Sequence, residues 1–221
     1  NNMQQYHFHR FISENEDPLG SQEGDERWIE RYEQRLPPTV VFNGTIQQIG
    51  SVPAGDSLQD DYNSNLQNQL DIGDGLSSLG WMPDEGNMSG IVAWSLNVDM
   101  ANFPANSTIK SSIWVVETLA YFPEGSNGED YYHESVIGII ELGENLSGTK
   151  DITLPTAYDD NDLEIHLIHE VILPEPVDLE EDAPGESDKE EESEDDDEGV
   201  LPSLSLLAVL TITMFACLLY T

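Results

Sequence analysis

Fourteen acidic residues lie between Asp178 and Glu198, opposed only by Lys189. A stretch so charged and so poor in apolar residues repels itself and has nothing to bury. Residues 177–199 are therefore predicted to be a disordered acidic tether. The next segment is its opposite, because Leu204–Tyr220 carries no charge. A bilayer span takes ~20 apolar residues, and this run sits at the short end of that range. The alternative, a buried core helix, would show a polar face, whereas this run offers only small hydroxyls. Residues 200–221 are predicted to be a C-terminal transmembrane helix that anchors the chain to a membrane. Any folded body must then be built before residue 177.

The whole chain holds 44 acidic residues against 7 Lys and Arg, a net charge of -37. Nucleic-acid binding requires Lys and Arg to displace counterions from phosphates, so this charge excludes it. The field instead keeps the protein soluble, and it suits a salty medium. The single cysteine, Cys217, lies inside the apolar run. No internal disulfide and no thiolate zinc site can form. The chain starts at Asn1, and Met3 is followed by polar residues, so the N-terminus reads as a cut. Four N-x-[ST] sequons, at Asn43, Asn87, Asn106 and Asn145, agree with an exported body. They also arise by chance in a chain rich in Asn and Ser.

The body, tether and span together resemble the tripartite C-terminal sorting tails of archaeal surface proteins. Leu201-Pro202-Ser203 stands where those tails carry a short Pro-containing motif before the span. Such tails end in Arg or Lys, and nothing basic follows Tyr220 here. The resemblance implies a body on the extracytoplasmic side of a cell membrane.

Residues 1–72 read as an ordered series of elements. Tyr6–Ile12 alternates like a strand. Asp25 is a candidate cap for a helix to about Arg35, with Trp28, Ile29, Tyr32 and Leu36 on one face. Pro37-Pro38 leads into Thr39–Phe42, Asn43-Gly44 signals a hairpin, and residues 45–49 return antiparallel. Asp56 or Ser57 caps a second helix, striped by Leu58, Tyr62, Leu66 and Leu70 and ended by Gly73. This order resembles the C-terminal two-thirds of a thioredoxin fold, closest to exported members whose hairpin reads Pro-Thr-Val-x-Phe-x-Gly. The resemblance implies a cis bond before Pro38 and a groove at Pro38 and Thr39 where a protein disulfide substrate pairs. From the residues alone, a rigid trans Pro-Pro entry to a strand is the other reading. The family's C-x-x-C has no counterpart in these residues. A thioredoxin works through a thiolate of lowered pKa attacking a disulfide, so the chain as it stands is expected to be redox-inert.

Residues 73–176 turn all-β. Ile91–Met100 alternates, with Val92, Trp94, Leu96, Val98 and Met100 on one face. Residues 112–122, 132–142, 151–154 and 163–173 are further predicted strands. Strands at this spacing, broken by turn signals, predict a β-sandwich of immunoglobulin-like size, without an inter-sheet disulfide. Its core would rest on Trp94, Trp114 and the aliphatic residues.

Few constellations suggest chemistry. His166 and His169, three apart on a strand, point to opposite faces and make a poor zinc pair. His7 and His9 share a face but lack a third ligand. Asp159, Asp160 and Asp162 could hold calcium through hard oxygens, or form an ordinary acidic turn. No phosphate loop and no Ser/His/Asp arrangement is present, and no cofactor is expected. The sequence thus implies a membrane-anchored, exported protein with a monomeric body. Its role is either thiol–disulfide exchange with a dithiol supplied upstream, or non-catalytic interaction at the cell surface.

Overall fold

The computed structural model describes residues 3–11, 17–67, 75–125, 127–159 and 162–174, together with the backbone of 213–217. Two short helices and three antiparallel sheets make up the fold. The predicted tether lies outside the described residues.

Helix α1 spans Gln22–Tyr32. It starts four residues before the expected Asp25 cap, because Ser21 is the cap: its Oγ accepts the Gly24 N–H at 3.1 Å. Glu33, in the left-handed region at φ 54°, ends the helix. Leu36 therefore falls beyond the helix and is exposed, not part of an apolar stripe.

Strands β1 (Thr39–Phe42) and β2 (Ile46–Ile49) form the expected hairpin. Asn43 and Gly44 both have positive φ, and Thr45 N–H donates to the Phe42 carbonyl, as a primed turn needs. The Pro37–Pro38 bond is cis. Helix α2 (Leu58–Gln67) is capped by Ser57, whose Oγ accepts from Asp60 N–H at 3.1 Å. Tyr62 of α2 packs on Phe42, with ring centroids 5.4 Å apart.

The hairpin is a sheet of its own. The strand expected over Tyr6–Ile12 does not join it. Within this segment the described residues make one parallel bridge, His7 to Ser135. Only His7 pairs, with the β6 edge, and the alternation mainly serves burial: Tyr6 and Phe8 both meet Trp114 edge-on, at 4.9 and 5.0 Å.

The remaining strands build two facing sheets. One has the order β3 (Leu76–Pro83), β4 (Ser89–Asn97), β7 (Ser147–Thr153). The other has the order β6 (Tyr131–Gly143), β5 (Thr108–Tyr121), β8 (Leu163–Ile172) and β9 (Thr213–Cys217). Between them lie Val92, Trp94 and Ile152 from the first sheet and Ile113, Val115, Leu142 and Leu167 from the second. The Trp94 indole packs against Gly148 across the β4–β7 pair, where a Cβ would come within 2.7 Å of it. Only glycine permits that approach.

The second sheet is covered on its other face too. Trp114, Val116, Val136 and Ile168 form a second core, under Tyr6 and Phe8. A strand buried on both faces reads as a continuous apolar run, not an alternation. That is why Ile113-Trp114-Val115-Val116 stands unbroken in β5.

Thr213–Cys217 falls inside the predicted membrane helix. In the structure these five residues are a strand, β9, paired antiparallel to β8 from Ile168↔Cys217 to Ile172↔Thr213. Without β9, β8 would present an open row of backbone donors and acceptors, which an apolar segment readily joins. The rest of residues 200–221 lies outside the described residues, and no described helix is long and apolar enough to cross a membrane.

Candidate functional site

Strand β5 outruns its neighbour. Its pairing with β8 ends at Glu117↔Leu163, yet β5 continues to Tyr121. The backbone of residues 118–121 would face solvent on that side, but the turn before β8 supplies acceptors. Asp162 Oδ2 accepts from the Leu119 N–H at 3.0 Å and from the Thr118 hydroxyl at 2.7 Å. Asp159 Oδ2 accepts from the Tyr121 N–H at 2.6 Å. Two carboxylates thus stand in for a missing strand.

Glu117 returns the interaction. Its carboxylate accepts from the Tyr158 N–H at 2.9 and 3.0 Å and from the Asp159 N–H at 3.3 Å. Side chains of the turn hold the strand's backbone, and a side chain of the strand holds the turn's backbone. We call this reciprocal arrangement a clasp. Glu117 is fully buried. Burial pushes its carboxyl above the usual carboxylate range, the Tyr158 and Asp159 N–H groups pull it down, and Asp159 pushes it up again.

Glu117, Asp159 and Asp162 each offer a carboxylate oxygen, all within 4.8 Å of one another. Calcium takes six to eight oxygens at about 2.3–2.6 Å, so these three groups could supply part of a cation's shell. Of the expected calcium candidates, Asp159 and Asp162 converge here, whereas Asp160 lies outside the described residues. Glu117 is the member that sequence reading missed. Its signal was present: one acid inside the apolar run of β5. Amide donors reach both Glu117 oxygens and one oxygen each of Asp159 and Asp162, which suits a clasp formed without a cation, while Asp162 Oδ1 is buried without a hydrogen-bond partner among the described residues.

Beyond the clasp, the inner face of β5 emerges from under the facing sheet. Residues 113 and 115 on that face are core, 117 is the clasp, and Leu119 and Tyr121 are 40 % and 49 % exposed. Tyr131 of β6, directly opposite Tyr121, is 54 % exposed, and their ring centroids are 5.0 Å apart. Tyr158 stands in the adjoining turn, also exposed. Partial burial and the carboxylates of Glu124, Asp159 and Glu117 raise its phenol pKa. The result is an apolar, aromatic surface ringed by acids at the end of the β5–β6 ribbon.

The other candidates are placed elsewhere. His166 and His169 do diverge. His166 Nδ1 meets the Tyr6 hydroxyl at 2.8 Å on one face of β8. His169 lies between the sheets, its two nitrogens 2.8 Å from the hydroxyls of Ser77 and Ser111. Burial depresses the His169 pKa to about 4. Its folded value lies below the usual ~6.5, so the unfolded chain takes up the proton first as pH falls. Stability is complete above pH ~6.5 and declines towards pH 4, by about 2 kcal/mol at pH 5. Wild type and His169→Gln should therefore converge in stability by that amount between pH 7 and pH 5 in urea unfolding. A constant gap would mean that folded His169 protonates freely.

His7 and His9 take different partners, and burial lowers the His7 pKa, helped by the nearby His9. His7 Nε2 lies 2.7 Å from Gln5 Nε2, and His9 Nδ1 pairs with Asp17 at 3.1 Å. At the expected groove, the Pro38 carbonyl accepts the Gly50 N–H, and the Thr39 hydroxyl donates to the Leu36 carbonyl. Both groups are engaged within the chain. Asn87, Asn106 and Asn145 are exposed, and Asn43 is half-buried in its turn. Set against family models, curated proteins and solved structures, the chain matches none of them.

Proposed function

We propose that the body is a non-catalytic interaction module, whose working surface is the tyrosine end of the β5–β6 ribbon. One observation carries this reading. Leu119, Tyr121 and Tyr131 continue the sandwich's inner face into solvent, where exposed aromatic area has a cost unless a partner covers it. The clasp supports the same reading, since it fixes the strand that presents them. Two facing antiparallel sheets in about 100 residues also support an immunoglobulin-like class for 73–176. The acidic tether and the charge-free run Leu204–Tyr220 support display from a membrane. That role requires residues 213–217 to leave the β8 edge.

Thiol–disulfide exchange is the second reading. The realised order of helix, Pro-Pro-Thr strand, Asn-Gly hairpin and helix favours it. It needs a dithiol that these 221 residues do not contain.

Photo-crosslinking tests the module. A photo-reactive residue replacing Tyr131 in the full chain should form a protein adduct in the cells that make it. The same residue replacing Met82, as exposed but on the other sheet, should not. Tyr121→Ser should abolish the adduct at 131. Adducts from 82 alone, or from neither position, contradict the proposal.

A further inference from the structure

We infer that the tyrosine end docks an extended, Arg- or Lys-rich segment of a partner protein. The inference rests on the interaction reading above and names its ligand class. Three features point to it.

The first is the rings. The Tyr121 and Tyr131 rings lie with centroids 5.0 Å apart, tilted by 46°, and both residues are about half exposed. An aromatic face attracts a guanidinium or ammonium group within about 6 Å. Arginine also stacks flat, so a planar guanidinium suits such a pair.

The second is charge. Asp159 is in the clasp beside Tyr121, and Glu124, Glu129 and Asp130 occupy the β5–β6 turn, all four exposed. No Lys or Arg occurs in residues 111–149 or 151–174, so neither strand nor turn supplies its own cation. A bound cation would meet ring faces and carboxylates together.

The third is exclusion. A second copy of this acidic face repels the first, so self-association here is disfavoured. Anionic lipid headgroups and nucleic acid are repelled in the same way. Apolar rings within an acidic rim match a cationic chain.

The test uses the full protein and a fluorescein-labelled peptide of alternating Arg and Gly, at about 0.15 M salt. Wild type should bind it. Tyr121→Ser with Tyr131→Ser should weaken binding by roughly five- to thirty-fold, the sum of two exposed cation–π contacts. Tyr121→Leu with Tyr131→Leu keeps apolar cover and should lose as much. Tyr121→Phe with Tyr131→Phe keeps the ring faces and should bind within about twofold of wild type. Glu85→Gln, on the β3–β4 turn of the other sheet, should change nothing.

Equal binding by wild type and both ring-less variants would overturn the inference, since the peptide would then be held by diffuse charge. An equal loss with Glu85→Gln would do the same. Crosslinking at position 131 without peptide binding would sink the cationic class and leave the module standing. A neutral oligosaccharide bound in the peptide's place would also sink it. Failure of both experiments would remove both readings.

Discussion

Glu170→Ala should destabilise the body by about 3–5 kcal/mol, the cost of stranding buried charge by removing its partner. Glu170 sits on β8, almost fully buried. Its Oε1 meets Arg27 Nη2 closely and Arg31 Nη2 at 3.3 Å. Both arginine side chains are only 11 % exposed, and the Arg27 guanidinium lies 5.4 Å from the centre of the Trp114 ring. Two of the protein's seven cations are thus spent on one acid, and they tie α1 to the sheet. The groove around them, about 480 Å³, is also lined by Glu23, Glu26, Glu30, Glu141 and Glu144. Those carboxylates can recover part of the loss, which places the expected value at the low end of the range. Replacing Arg27, Arg31 and Glu170 together by apolar residues of similar size should restore most of the stability. Urea unfolding reads both. A loss below about 1 kcal/mol for the single variant would mean that the arginines repair themselves and the ion cluster does not hold the helix.

The second large effect concerns Glu117, where two terms compete. Burial and the Asp159 carboxylate disfavour its charge, while the Tyr158 and Asp159 N–H groups favour it. Glu117→Ala removes the acceptor, leaves donors without a partner and opens a void, for about 3 kcal/mol of lost stability. Glu117→Gln keeps the shape and one acceptor oxygen and removes the repulsion, so it should stay within about 1 kcal/mol of wild type. The sign with pH follows from the raised pKa. The Glu117 contribution is largest below the ordinary carboxylate range and is lost as pH rises through the folded value. This runs opposite to His169, so the Gln variants of the two residues should shift stability in opposite directions on acidification.

Much of the sandwich was legible because its strands announce themselves. In β4, Gly90, Val92 and Trp94 are buried while Ile91 and Ser95 are exposed, so the expected alternation holds as far as Asn97, whereas Met100 lies in a short 3-10 turn and is exposed. Strands β5, β6 and β8 were placed within a few residues. Strand β3 was not, since Gly80, Pro83 and the Ser77-Ser78 pair dilute an edge strand's pattern. The N-terminal segment misled for the converse reason. Tyr6 and Phe8 alternate because one side packs on Trp114, and packing imposes the same period as pairing.

The site was half legible. The acidic turn at 159–162 stood out, but its partner Glu117 lies about forty positions away and meets it only through the β5–β8 register. No local spacing encodes that meeting. Nor could sequence show that β5 outruns β8, which exposes Tyr121 and Tyr131 and obliges the carboxylates to cap the strand edge.

Amide hydrogen exchange tests the clasp most directly. With a chelator present, the Leu119 and Tyr121 amides should exchange slowly, because Asp162 and Asp159 accept from them. The Tyr158 and Asp159 amides, held by Glu117, should be slow as well. All four should become fast in Glu117→Ala while amides of the β4–β7 pair stay protected. Protection that appears in wild type only after calcium is added would contradict the account, and would make the three carboxylates a cation site.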